Sequence, residues 1–220
     1  MAKKFALFIL FCIVVLTISP VVYAQEKPSA EPDYNSYLVV KGGIFYPQGD
    51  LKDLNTGFNG ELAYGYRFIP NAAVEFSSGY FGASKTYNES VLGYSVSLNE
   101  KVYAIPLTVA IKGIVPIDKQ FEVYGLAGTG AYFVNGKATA SATVRGVSAS
   151  VSFSDNTTVW GGFLGAGATY NITPQVFVGL EGKYLWTSSA NLSDTVAGVR
   201  VNADFKIRGA FATANVGFRF

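Results

Sequence analysis

The residues able to carry chemistry are few. No histidine occurs anywhere in the 220 residues, so a Ser-His-Asp arrangement is impossible and metal sites lose one of their usual ligands. The only cysteine, Cys12, lies inside the apolar run Phe5 to Ile18 rather than at its end, which argues against a lipid-attachment site. What remains are isolated ions: Glu61, Glu75 and Glu181, with Lys41, Arg67, Lys112, Lys183 and Arg219. Paired carboxylates would suit acid–base work, but these occur singly among basic partners, the pattern of a structural ion network. The glycine-rich runs Gly125 to Gly130 and Gly161 to Gly167 are not followed by Gly-Lys-Ser/Thr and lead into no helical pattern, so they read as strand glycines. No catalytic, cofactor-binding or metal-binding residue is assigned.

The chain start has the form of a secretory signal. Lys3 and Lys4 precede the apolar run, and Val22-Tyr23-Ala24 offers small-residue cleavage chemistry, so cleavage is expected between Ala24 and Gln25. The run is too short for the ~20 residues of a spanning helix. Without Lys3 and Lys4 the 17 basic residues fall to the number of acidic ones, 15, and no nucleic-acid partner is suggested. Residues 25–36 hold Pro28, Pro32 and several charges without periodicity, a solvated lead-in. The folded domain is expected over residues 37–220.

Within that domain the ions sit on a repeat of two. From Phe58 to Ile69, residues Phe58, Leu62, Tyr64, Tyr66 and Phe68 share one face, and Asn59, Glu61, Ala63, Gly65 and Arg67 the other. Ala72 to Tyr80 alternates likewise, with Glu75 on the polar side. In Val176 to Trp186 the residues Leu180, Tyr184 and Trp186 oppose Glu181 and Lys183, and in Ala210 to Phe220 the residues Val216, Phe218 and Phe220 oppose Arg219. Tyr37 to Tyr46, Val102 to Gly113, Phe121 to Val134 and Val159 to Ile172 complete eight segments, with Lys41 and Lys112 facing inward. In the two glycine-rich ones, Tyr124, Leu126, Trp160, Leu164 and Tyr170 are read as outward.

Segments of this length match the ~9–11 residues of a tilted membrane strand, and their connections alternate short and long. Short connections fall near Pro70-Asn71, Val115 to Gln120 and Thr173-Pro174; long ones cover Pro47 to Gly57, Ser84 to Glu100, Asn135 to Thr158 and Thr187 to Asp204. The predicted fold is all-β: an eight-stranded antiparallel up-and-down transmembrane β-barrel with short periplasmic turns and four longer extracellular loops. A soluble barrel shows the same period with its faces exchanged. The aromatic volume on the apolar faces exceeds what an eight-stranded interior holds, so those faces are assigned to lipid. A three-residue turn at Pro70 to Ala72 would set Arg67 opposite Glu75, and an ion pair is expected there. Folding Ala138 to Phe153 about Arg145-Gly146 pairs Val144 with Val147, Ala142 with Ala149, Ala140 with Val151 and Ala138 with Phe153, predicting a hairpin. A shift of apolar parity between Val201, Phe205, Ile207 and Ala210 onward predicts a bulge near Gly209.

The last residues, Ala212-Thr-Ala-Asn-Val-Gly-Phe-Arg-Phe220, resemble the C-terminal strand of outer-membrane proteins, in which a terminal aromatic and alternating apolar residues are read by the barrel-insertion machinery. Val216, Phe218 and Phe220 match that pattern. Lys41-Gly-Gly-Ile-Phe-Tyr-Pro47, Glu61-Leu-Ala-Tyr-Gly-Tyr-Arg-Phe68 and Gly161 to Tyr170 extend the resemblance to the OmpW-like and OmpA-like small barrels over nearly all of residues 37–220. The resemblance implies an exported protein of the bacterial outer membrane with lipid and lipopolysaccharide around it. Small barrels of similar size that act as lipid-modifying enzymes use a histidine base, which this chain lacks. The expected role is a monomeric structural or surface-interaction scaffold, with the loop Asn135 to Thr158 as the candidate ligand surface. The alternative is a narrow channel for small or hydrophobic solutes, favoured by the small residues Gly125, Ala127, Thr129, Gly165 and Gly167, which are read as inward. A soluble periplasmic lipid-binding barrel would need the aromatic faces inside.

Overall fold

A computed structural model describes residues 35–220, apart from 92–93, 145–146 and 197–198. The expected signal segment, most of the lead-in and the hairpin tip Arg145-Gly146 lie outside the described residues. Eight strands follow one another: β1 (Ser36–Gly49), β2 (Gly57–Ile69), β3 (Ala72–Val91), β4 (Tyr94–Pro116), β5 (Phe121–Val144), β6 (Val147–Asn171), β7 (Val176–Val196) and β8 (Val199–Arg219). Each pairs antiparallel with the next, and β8 returns to β1 to close the barrel. The seam is a full ladder from Tyr37↔Arg219 to Gly49↔Ile207. At its end the Ser36 and Phe220 amides each donate to the other residue's carbonyl, at 3.2 and 2.9 Å. Closure leaves no edge in the wall, the condition for placing backbone amides in hydrocarbon.

The faces are inside-out relative to a soluble protein. Leu180, Trp160 and Ile111 on the outer wall are 68%, 66% and 65% exposed, whereas Lys41 and Glu181 are 2% and 3% exposed. Every aromatic assigned to lipid from the alternation of β2, β3, β7 and β8 is on that outer wall. In β5 the assignment is corrected. Tyr124 and Leu126 are buried in the lumen, and Gly125, Ala127 and Thr129 face out. The error came from equating size with the lipid face. Around these two positions the small residues Gly125 and Ala127 are outside, and the ring of Tyr124 lies on Gly167 of β6, where a Cβ would come within 2.5 Å of it.

The strands differ most from expectation in length. β3 to β8 run 20 to 25 residues, about twice the ~9–11 needed to cross a membrane. Three of the four long connections are therefore mainly strand, continuing as hairpins beyond the barrel rim. Ala138↔Phe153, Ala140↔Val151, Ala142↔Ala149 and Val144↔Val147 are the pairs of the central hairpin. Among the described residues of the long connections, the β1–β2 one alone is irregular. Gly49 opens it with φ of 64°, a left-handed backbone that other residues adopt at a cost, and Leu51 folds back into the barrel mouth.

Two details of register depart from the sequence reading. At the first turn Arg67 pairs with Ala73, Ile69 with Ala72, and Phe68 is a bulge, so Glu75 falls opposite Gly65 rather than Arg67. The turn is one residue shorter than assumed, which alone would set Arg67 opposite Val74, and the bulge adds a second residue of shift that keeps Arg67 on the lumen side. No bulge occurs at Gly209. Phe205 and Ile207 share the lumen side with Gly209 and Phe211, because apolar side chains fill this end of the lumen. The bulge is across the ladder in β7, where three steps from Trp186 to Ser189 span two from Arg208 to Lys206.

An arginine placed on the outer wall must find water or deform the bilayer. Leu107→Arg, at an exposed outer-wall position of β4, is expected to lower stability in lipid vesicles by about 2–4 kcal/mol. The check is the fraction of fast-migrating unboiled protein across a urea series; wild-type behaviour would mean that this face does not meet lipid.

Candidate functional site: a charged lumen

The pleat delivers the ions. Residues of one parity on β1, β2, β3, β4 and β7 point inward, so Lys41, Glu61, Glu75, Lys112, Glu181 and Lys183 converge, Lys41 and Glu181 meeting from 140 positions apart. Lys41 is the hub. Its Nζ lies 2.5 Å from Glu75 Oε1, 3.1 Å from Glu181 Oε2 and 3.4 Å from Glu61 Oε1. Lys183 Nζ approaches Glu61 Oε2 at 2.5 Å and Glu181 Oε1 at 3.7 Å, and Lys112 Nζ approaches Glu75 Oε2 at 3.6 Å. Three ammonium groups thus balance three carboxylates. The Tyr37 hydroxyl donates to Glu75 and that of Tyr124 to Glu181, both at 3.0 Å. These donors occupy carboxylate lone pairs that the ammonium groups do not fill, as a dry ion cluster requires.

A second cluster sits nearer the short turns. Arg67 grips Glu122 through both terminal nitrogens, at 3.2 and 2.7 Å, and Arg219 Nη2 reaches the same carboxylate at 3.1 Å. The Thr169 hydroxyl donates to it at 3.4 Å. Arg67 therefore meets Glu122, not Glu75, which is the consequence of the first-turn register. Rings back the cations: Lys112 lies 3.7 Å from the Tyr124 centroid, and Arg219 4.7 Å from that of Phe177.

Glu122 was missed by sequence reasoning, and a signal was present. It shares parity with Tyr124 and Leu126, so the rule that charges face the lumen would have turned all three inward. The apolar plug was missed for the converse reason. Toward the long hairpins, Phe45, Phe81 and Phe211 pack together in tilted and edge-to-face contacts with centroids 4.8 to 5.1 Å apart, joined by Tyr132, Leu185 and Ile207. Such residues look identical in sequence to lipid-facing ones.

The lumen is filled. The voids beside Glu61 and Phe211 and beside Arg67 and Glu122 hold about 20 Å³ and about 10 Å³, room for about one water each. No cluster of His, Cys, Asp and Glu suited to a metal occurs among the described residues. A carboxylate held by two cations and a hydroxyl, with no space beside it for a substrate, is suited to holding strands together rather than to proton transfer. Val216 and Phe218 stand on the outer wall of β8 beside the closing seam and Phe220 is exposed just past its end, with the rings of Phe218 and Phe220 stacked 6.5 Å apart.

A closed ring of eight strands with a lipid-facing apolar band and a paired polar core defines a small transmembrane β-barrel. The family model for the outer membrane protein beta-barrel domain matches residues 9–220. The chain belongs to that family, which places it in the bacterial outer membrane. No curated protein sequence matches. Among solved structures it is similar to a major outer membrane protein from Thermus thermophilus, with 13% identity over 84% of this chain and 98% of that one at a TM-score of 0.54. It is also similar to the outer membrane protein OprG of Pseudomonas aeruginosa, at 14% identity, 85% and 97% coverage and a TM-score of 0.53. Neisserial surface protein A gives 17% identity, 84% and 97% coverage and a TM-score of 0.51. At these identities the likeness is one of fold.

Removing the hub leaves three buried carboxylates short of positive charge. Lys41→Met is expected to cost about 3–5 kcal/mol in urea unfolding from lipid vesicles. A double-mutant cycle of Lys41 with Glu75 should show strong coupling and one of Arg67 with Glu75 close to none. Equal coupling in the two cycles would contradict the register described.

Proposed function

We propose that this protein is a monomeric structural barrel of the outer membrane whose extracellular hairpins are its working surface. The filled lumen carries this reading. A continuous plug of Phe45, Phe81, Phe211 and Leu185 stands above a neutral ion cluster, while three hairpins extend well beyond the length a membrane needs. Strand-paired hairpins present side chains at fixed positions, at less ordering cost than a free loop when a partner docks. The segment Asn135 to Thr158, paired over its described residues, is the candidate surface for a ligand on a neighbouring cell, a host or the lipopolysaccharide layer. No enzymatic role is included, because the buried carboxylates are fully engaged in ion pairs and hydrogen bonds. Export with cleavage between Ala24 and Gln25, and recognition of Val216, Phe218 and Phe220 by the insertion machinery, complete the reading.

The narrow channel for small or hydrophobic solutes has one observation in its favour. A cavity of about 780 Å³ opens at the barrel mouth, lined by Leu51, Leu54, Val102, Phe153 and Phe205 among others. It ends on the aromatic plug, which would have to move for anything to pass.

Planar-bilayer recording separates the two. The scaffold reading predicts no conductance above the lipid baseline for the refolded protein, and stable conductance steps would favour the channel. Excising Gly136 to Asp155 should leave the unboiled fast-migrating form intact while removing any surface binding the whole protein shows. The intact mass of membrane-extracted protein should correspond to a chain starting at Gln25.

A further inference from the structure

The β7 bulge does more than adjust register. A bulge turns two successive side chains to one side, and here Ser188 and Ser189 are both exposed on the outer wall, beside exposed Lys206 and Arg208 on β8. These four residues, with Tyr184 and Trp186 beneath them, line a pocket of about 580 Å³. Neither cationic side chain meets a carboxylate or a ring among the described residues. Asp50 accepts the Lys206 backbone amide at 2.8 Å, and Asp204 lies one step farther along the same face outside the pocket lining. Everywhere in the lumen cations are neutralised; on this outward face two are left open together.

The height of the pocket says what it meets. Tyr184 and Trp186, rings 6.4 Å apart, belong to the aromatic band that marks the membrane interface. Below them the outward stripe of β8 is Ala210, Ala212 and Ala214, beside Gly182 of β7 and Gly42 of β1. A Cβ at Gly42 would touch nothing within 4 Å, so the alanine stripe is a low strip of wall between exposed Ile44 and Tyr46 on β1 and Leu180 and Tyr184 on β7. Two cations and two hydroxyls above an aromatic pair, with an apolar trough below, match a phosphorylated lipid: anion at the top, chain running down.

We propose that Lys206, Arg208, Ser188 and Ser189 form a headgroup site for a phosphate-bearing lipid of the outer leaflet, seated by Trp186 and Tyr184. This rests on the reading of the hairpin end as extracellular. Lys and Arg supply charge-assisted hydrogen bonds to phosphate oxygens, and the bulge hydroxyls add neutral ones. A fixed lipid here would also cover the wall above Gly161↔Thr187, where β6–β7 pairing ends.

The test uses the whole refolded protein in detergent, titrated with bis-phosphorylated lipid A and read by native mass spectrometry. Wild type should retain one lipid, while Lys206→Ser/Arg208→Ser should bind about tenfold or more weakly. Lys119→Ser/Lys137→Ser, which removes equal charge elsewhere, should bind as wild type. Dephosphorylated lipid A should bind the wild type as weakly as phosphorylated lipid binds the double variant, and millimolar inorganic phosphate should fail to displace the lipid. Retained binding in the Lys206/Arg208 double variant, or equal loss in the control, overturns the site; displacement by inorganic phosphate overturns the lipid in favour of a free anion. A faster unboiled band for each variant shows that the barrel is intact. Its absence in the wild type would count against the barrel reading itself rather than the site.

Discussion

An eight-stranded cylinder has no room to keep its charges wet, and the structure depends on how that constraint is met. An ammonium group without a partner in such a space costs several kcal/mol, so each lumen ion must meet an opposite one whose strand comes from elsewhere in the chain. Lys41 does this for β1, β2, β3 and β7 at once. Its ion pairs with Glu61, Glu75 and Glu181 tie three strands to the first. The backbone ladder closes the wall, but ladder bonds alone would tolerate a slip by two residues. The cluster fixes the register, because a slip by two would carry Glu75 away from Lys41 and Lys112 together.

That constraint also explains the gradient along the axis. At the short-turn end the ions are arginines clasping Glu122; in the middle they are lysines among glutamates; toward the hairpins the lumen turns aromatic and dry. Arginine suits the mouth, where its weakly hydrated planar group forks onto one carboxylate while partly exposed. Lysine suits the centre, where one nitrogen can face three carboxylates. The plug separates this cluster from the medium on the hairpin side, and above it the strands continue as ribbons. Barrel wall and hairpins are therefore built from the same strands.

Much of this was legible from the order of residues, and where it was not, the reason is physical. Alternation in β2, β3 and β7 placed Glu61, Glu75, Glu181 and Lys183 inside, because a charge is the one residue type that has no place in lipid. Fold, closure and the central hairpin register followed from period and turn chemistry. Where size was followed rather than charge it misled: Tyr124 and Leu126 went to the wrong side although Glu122 marks the lumen parity of β5, and Phe205 and Ile207 suggested a bulge in β8 that is in β7. Apolar residues satisfy lumen and lipid equally well, so only the neighbours decide. The pairing of Arg67 differs from expectation by two residues, one from the shorter turn and one from the bulge at Phe68, and the bulge has no signal in the alternation. Strand length was hidden too, since hairpins above the membrane need no apolar band and read as loops.

Whether Lys41 is a buried hub rather than an exposed lysine is tested most directly by nuclear magnetic resonance of its ammonium group, with the refolded protein in micelles or nanodiscs. A buried hub predicts a side-chain nitrogen signal whose protons exchange slowly with water and show through-space contacts to the Glu75 and Glu181 side chains, unlike the fast-exchanging Lys119. An ammonium group at Lys41 that exchanges as rapidly as that of Lys119 would contradict the filled, ion-paired lumen on which the register of the barrel depends.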